Sequence, residues 1–174
     1  MALEEGDRMD VSAAAAREMI LYMLWADRTI LGAVREVTPG DLTRDAGVSF
    51  GSLLGTMAHM LGAQRIWLSR FSGRPLDRLP ELTDFPDLLS WIHGWEETAS
   101  ETEAFVAGLT DEQLATPLTW TNLRGETYTL PLWQPVVHMV NHASYHRGQC
   151  ISMLRQMGYK APSTDLVYYF AQRA

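Results

Sequence analysis

The sequence predicts an all-α protein, a four-helix bundle with a small β-hairpin inserted before the last long helix. Four long segments carry apolar residues at three- and four-residue spacings, the period of an amphipathic helix. One further segment, 118–130, alternates and is rich in β-branched and aromatic residues, as hairpin strands are. Helices of this kind bury their apolar faces against one another. We therefore expect one domain over residues 11–170, preceded by a polar extension at residues 1–10.

The first two long helices are bounded by recognisable start and stop signals. A helix is predicted over residues 11–37, with Ser12 as its N-cap ahead of an alanine-rich run. A proline and a glycine then break the pattern, so residues 38–47 are predicted to form a loop. The second helix is predicted to run from an N-cap at Ser49 to about Phe71.

The remaining elements follow in the second half of the chain. The third helix is predicted over residues 84–108, with another short helical turn at 110–113. After the hairpin, the last long helix begins within residues 131–135, because proline is tolerated in a first helical turn, and it ends near 157–158. The final apolar segment, 166–172, is predicted to pack across the bundle.

Composition and charge exclude several classes of function. The chain has 174 residues, a hydrophobic content of 47% and a net charge of −7, with no cluster of basic residues, so no nucleic-acid partner is expected. No apolar run reaches the length of a membrane span, and the acidic start does not resemble a signal peptide. The single cysteine, Cys150, indicates a reducing cytoplasm, and we interpret it as a small core residue rather than a reactive thiol.

A group of histidines carries the main functional signal. His138, His142 and His146 are spaced four residues apart, so adjacent members stack on one face of the last long helix. One helix cannot enclose an ion, and His59 in the second helix is the best additional ligand. Three imidazoles with an open position are typical of a reactive metal site, for which zinc, nickel, copper or iron are suitable ions.

Several neighbours of the histidines have roles that the helical spacing suggests. Tyr145 and Gln149 flank the cluster, and Gln149 lies three residues after His146, where it can hold a ligand by a hydrogen bond. Arg147 lies on the same helix, and we expect it to form a salt bridge, for which Asp27 is the candidate, rather than to act in catalysis.

The chain as a whole resembles the DinB/YfiT-like family of metal-dependent four-helix-bundle proteins. The resemblance extends from about Val11 to Phe170 and is carried by LYMLWADRTIL, AHMLGAQRIWLSR, NHASYHRGQ and STDLVYYF. It implies a divalent ion, zinc or nickel, held by His59, His142 and His146. His138 would then be a pocket residue or an alternative ligand, since the spacing equally permits His138 with His142.

The resemblance also implies a range of functions. Characterised members resemble transferases that use low-molecular-weight thiols such as bacillithiol or mycothiol, and related maleylpyruvate isomerases. We therefore expect a metal-dependent enzyme that transfers such a thiol to a small electrophile, or activates water against it, with cofactor contacts from His138, Tyr145 and Gln149. The alternative is a non-catalytic, stress-related module that binds a metal or ligand. Members often resemble dimers, so a homodimer is a further expectation.

Overall fold

Four long helices and one hairpin make up most of the computed structural model, which describes residues 11–74, 76, 78–122 and 124–174. The predicted polar extension at 1–10 lies outside the described residues. The helices are α1 (Ala13–Val34), α2 (Pro39–Thr43), α3 (Leu53–Phe71), α4 (Leu88–Ala107), α5 (Asp111–Ala115), α6 (Trp133–Gln156) and α7 (Leu166–Ala171). A 3-10 turn spans Leu82–Asp84, and the strands are β1 (Pro117–Thr121) and β2 (Thr127–Pro131).

The helix starts follow side-chain caps, and one of them differs from the prediction. Ser12 caps α1 as predicted, accepting a hydrogen bond from the Ala15 amide. The prediction of Ser49 as the cap of α3 was wrong, because Ser52 has that role and accepts from the Gly55 amide at 3.1 Å. Gly51 has a φ of +73°, which no right-handed helix can include, so α3 begins only after it.

The segment predicted as a loop after α1 contains the short helix α2. Thr38 caps it by accepting a hydrogen bond from the Asp41 amide at 3.2 Å, and Pro39 occupies the first helical turn. Proline has a φ suited to that position and lacks the amide hydrogen that would go unused there. The Thr-Pro pair that was predicted to open a loop therefore starts a short helix.

The four long helices enclose a common apolar core. Helix α6 packs against α1 and α3, and α4 packs against the same two helices. Helix α7 lies on α1, where the buried Tyr169 ring contacts Tyr22 and Trp25. Buried side chains come from each long helix, among them Ile20, Met23, Leu54, Leu61, Trp91, Trp95, Met139 and Leu154. This packing brings one face of α3 against one face of α6.

The predicted hairpin is confirmed and leads directly into α6. Strands β1 and β2 pair antiparallel, from Pro117 opposite Pro131 to Thr121 opposite Thr127. The turn between them includes Gly125 at a φ of +80°, which favours glycine. Among the described helices, none combines the length and apolar character needed to cross a membrane.

Candidate metal centre

Three imidazoles from two helices converge on one point. His59 projects from α3, and His142 and His146 project from successive turns of α6. The Nε2 atom of His142 lies 3.2 Å from Nε2 of His59 and 3.2 Å from Nε2 of His146. One ring nitrogen from each of the three residues lies within 4.8 Å of the other two, so the set could hold a metal ion.

These separations suit a metal site better than a hydrogen-bonded cluster. Three nitrogens bound tetrahedrally at 2.0–2.1 Å from one ion would lie about 3.3 Å apart. A ring nitrogen carries either one hydrogen or one lone pair, so Nε2 of His142 can form at most one well-aligned hydrogen bond. It nevertheless faces two other Nε2 atoms at the same distance. A metal ion would accept all three lone pairs at once, so the three histidines fit such an ion.

Gln149 sets the orientation of the most buried of the three rings. His146 is 6% exposed, and its Nδ1 lies 2.8 Å from Oε1 of Gln149. An amide oxygen only accepts hydrogen bonds, so Nδ1 of His146 carries the hydrogen and Nε2 carries the lone pair. The nitrogen that faces the other two histidines is therefore the one able to bind a metal. Gln149 thus contacts His146, and its contact with a cofactor stays a prediction.

The surroundings keep the other two histidines neutral. Burial lowers the pKa of His59 to about 4, and the nearby His146 adds a smaller effect in the same direction. Burial also lowers the pKa of His142 to about 4, with smaller contributions from His146, His59 and His138. Both rings are thus uncharged at neutral pH, which is the form that binds a metal.

Phe50, which the sequence did not single out, fixes the ring of His59. The two rings stack with centroids 3.8 Å apart and planes inclined by 13°. Gly55 permits this arrangement, because a Cβ atom there would lie 2.0 Å from the Phe50 carbonyl oxygen. A lone phenylalanine nine residues before a histidine gives no periodic signal, so only the folded loop reveals the contact.

His138 and Tyr145 lie beside the convergent trio. His138 is exposed, and its ring centroid is 5.8 Å from that of His142 and 5.3 Å from that of Trp67. Burial of part of the ring lowers the pKa of His138. Tyr145 is 66% exposed and places its ring against the edge of His146. The structure therefore groups His59 with His142 and His146, and leaves His138 one turn away.

Two other candidate residues on α6 lie outside the trio. Arg147 is buried and forms the predicted ion pair with Asp27, with Nη1 2.9 Å from Oδ1. Cys150 is fully buried with its Sγ 4.0 Å from Sδ of Met60, and burial raises its pKa to about 12. A thiol with that pKa is not a nucleophile at neutral pH, so Cys150 is a packing residue.

Comparison with known proteins identifies relatives along nearly the whole chain. The family model described as "DinB family" matches residues 9–173. The chain is 27% identical over 157 residues to Protein DinB of Bacillus subtilis (strain 168), covering 85% of this chain and 89% of that protein. It also matches the crystal structure of a DinB-like protein from Bacillus cereus ATCC 10987 with a TM-score of 0.64. That match covers 89% of this chain and 99% of the other at 21% identity, and it supports the fold alone.

Proposed function

The chain belongs to the DinB family, and we propose that it binds one divalent metal ion through His59, His142 and His146. The convergence of three Nε2 atoms, two pairs of them 3.2 Å apart, is the observation that supports this proposal. We further infer that the four long helices are the four-helix bundle of this family, and that residues 11–170 are a single domain. In such bundles, metal sites are built from inward-facing side chains of adjacent helices.

We propose that the site is catalytic and that it transfers a low-molecular-weight thiol to a small electrophile, or activates water against it. Three protein ligands leave a position for a further molecule, whereas structural zinc sites normally use four. A bound divalent ion supplies Lewis acidity, which lowers the pKa of a coordinated thiol or water. Zinc and nickel both suit a site of imidazoles.

The chain's own residues prepare the site for this chemistry. The depressed pKa values of His59 and His142 keep lone pairs available at neutral pH. Gln149 holds the ring of His146 in the orientation that presents Nε2. His138 and Tyr145 are exposed beside the trio, and we propose that they contact a bound cofactor or substrate. We propose a small molecule as the substrate, and the net charge of −7 disfavours nucleic acid.

The alternative proposal is a non-catalytic metal-binding protein, and one observation favours it. Within the described part of the chain, the cluster consists only of histidines, and the side-chain hydrogen bond to it comes from an amide, Gln149. Neither group is a carboxylate, so a general base would have to come from outside this cluster. A homodimer and a cytoplasmic location, which the resemblance and the cysteine content imply, belong to both proposals.

Elemental analysis of purified, untagged protein tests the metal site. We expect about one zinc or nickel ion per chain in the wild type, and loss of the ion in His142→Ala. His93→Ala is the matched control, because His93 is an exposed histidine on α4, outside the cluster, and should keep its metal. Absence of metal from wild-type protein, persisting after incubation with zinc, nickel and cobalt salts, would contradict the proposal.

Turnover assays on the same preparations separate the two proposals. Metal-loaded protein is mixed with a panel of low-molecular-weight thiols and an electrophile, and thiol consumption is followed. Turnover by wild type and His93→Ala but not by His142→Ala supports the enzyme. A full metal content without turnover for any thiol, and without hydrolysis, favours the binding protein.

A further inference from the structure

A cavity of about 260 Å³ opens directly beside His59. Two separate pieces of chain form its walls, the loop before α3 and the segment before α4. The residues that matter for its chemistry are Phe50, His59, Leu79, Pro80, Glu81 and Leu82. The cavity therefore shares one ligand residue with the metal centre, while none of its other residues belongs to the trio.

The first wall is a fixed platform. The Phe50 ring stacks on His59, with the centroids 3.8 Å apart. The Phe50 backbone lies so close to α3 that a Cβ at Gly55 would be 2.0 Å from its carbonyl oxygen. Any side chain at Gly55 would displace this loop, so the sequence keeps the aromatic ring beside the ligand histidine.

The second wall is held on α3 by a similar close approach. A Cβ at Gly62 would lie 2.3 Å from the carbonyl oxygen of Pro80. The guanidinium of Arg78 donates two hydrogen bonds, of 2.7 and 2.5 Å, to the carboxylate of Asp84. This pair links the two ends of the segment. Phe85, 3% exposed, anchors its far end in the core. These contacts fix the position of the wall relative to α3.

The lining defines the class of ligand. Phe50, Leu79, Pro80 and Leu82 provide apolar surface, and Glu81 provides the negative charge. Pockets for drug-sized ligands span about 300 to 1,000 Å³, so this one suits a smaller molecule or a single ring. A carboxylate at the cavity disfavours an anionic ligand and favours a neutral or cationic one.

We propose that this cavity is the substrate subsite of the metal centre, and that it takes a small, mainly apolar group that is neutral or positively charged. The inference rests on the proposed metal site, because the reacting group would meet the ion beside His59 while the apolar body occupies the cavity. Selectivity would then come from Leu82 and Glu81, neither of which is in the trio.

Cobalt-loaded protein allows the subsite to be tested without measuring activity. Thiolate binding to Co²⁺ produces a charge-transfer absorption, so affinities can be measured for phenylmethanethiol, which carries an apolar ring, and for β-mercaptoethanol, which does not. Leu82→Trp should fill the cavity and lower the affinity for phenylmethanethiol by about tenfold or more. The affinity for β-mercaptoethanol should stay unchanged. Leu89→Trp is the matched control, because Leu89 is 62% exposed on α4 and does not line the cavity.

A second comparison tests the charge at the cavity. The wild type should bind para-(mercaptomethyl)benzoate more weakly than phenylmethanethiol, since its carboxylate would meet that of Glu81. Glu81→Gln should reduce this difference by about threefold or more without changing the affinity for phenylmethanethiol.

The outcomes distinguish failure of the subsite from failure of the metal site. If Leu82→Trp binds cobalt normally but affects both uncharged thiols equally, or neither, the cavity is not the subsite. An unchanged preference in Glu81→Gln would overturn the charge selectivity. If wild-type protein shows no cobalt spectrum at all, the proposed metal centre itself is wrong.

Discussion

Two polar clusters meet on α6 at the adjacent residues His146 and Arg147, and they are built in opposite ways. A single helical step of about 100° turns the two side chains to different faces. Arg147 meets its opposite charge, Asp27, at 2.9 Å in the core. His146 lies beside two other histidines, His59 and His142, and the ring nitrogens of the three face one another. The opposite charges of Arg147 and Asp27 neutralise each other, whereas the histidines leave lone pairs available to an ion.

The charged cluster links several helices through hydrogen bonds. Oδ2 of Asp27 accepts a hydrogen bond from Nε2 of Gln64 at 2.5 Å, which ties α1 to α3. Nη2 of Arg147 donates to Oγ of Ser144 at 2.6 Å on its own helix. Side-chain exposures of 1% for Arg147 and 3% for Asp27 leave no access for a ligand. We interpret this cluster as structural and the histidine cluster as functional, and three measurements test that division.

Removal of one buried charge should have the largest effect. Asp27→Ala leaves the Arg147 guanidinium unpaired in the core, and we expect it to reduce the free energy of unfolding by about 3 to 5 kcal/mol. Urea denaturation measures this loss. Metal bound per folded chain should stay unchanged, because the histidine trio is not touched.

A double-mutant cycle provides the control for this prediction. Arg147→Ala alone should also destabilise, but the double variant should lose less stability than the sum of the two single variants, since neither charge is then left unpaired. Additive losses would show that the pair is not coupled. Loss of metal from folded Asp27→Ala would show that the two clusters are not independent.

Loss of the Gln149 hydrogen bond should have an intermediate effect, which lowers the metal affinity and not the stability of the fold. Gln149→Ala frees the ring of His146, and we expect the metal affinity to fall by about 10- to 100-fold with little change in the urea midpoint. Competition with a chelator of known affinity measures this. Gln149→Glu retains an acceptor for Nδ1 and should keep most of the affinity. Equal affinities for Gln149→Ala and wild type would remove Gln149 from the site.

The sequence predicts the functional cluster better than it predicts what surrounds it. Four-residue spacing places His138, His142 and His146 on one helical face, but the spacing alone cannot decide which of them meets α3. The resemblance selected His142 and His146, and these are the two that the structure brings to His59.

The cavity walls were not predictable, because they depend on contacts between distant segments. The carbonyl of Pro80 lies over Gly62, and nothing local indicates a meeting of residues so far apart in sequence. The late start of α3 has a local cause, the positive φ of Gly51, but many glycines adopt negative φ, so the residue type did not reveal it. Helical periodicity identifies helices and their faces, whereas the loops that complete a site are fixed by packing.

The pH dependence of the metal-free protein is the most selective of the three measurements, because the effect of the two histidines develops only below neutral pH. The pKa of His59 and of His142 is lowered from 6.5 to about 4 in the folded state, mainly by burial. Between those values the unfolded chain binds more protons than the folded chain, so the free energy of unfolding should fall as the pH decreases from about 6.5 to about 4. The contribution of these histidines is complete above that range and lost below it.

Urea denaturation at a series of pH values, with a chelator present, measures this slope. The variant His59→Ala with His142→Ala should have a flatter profile than wild type between pH 6.5 and about 4, because the two groups that resist protonation are gone. His93→Ala is the matched control for the loss of a histidine, because His93 lies outside the trio. Parallel profiles for all three proteins would show that His59 and His142 titrate normally in the fold. Their lone pairs would then be lost to protons near neutrality, and the contrast between the two clusters would no longer rest on burial.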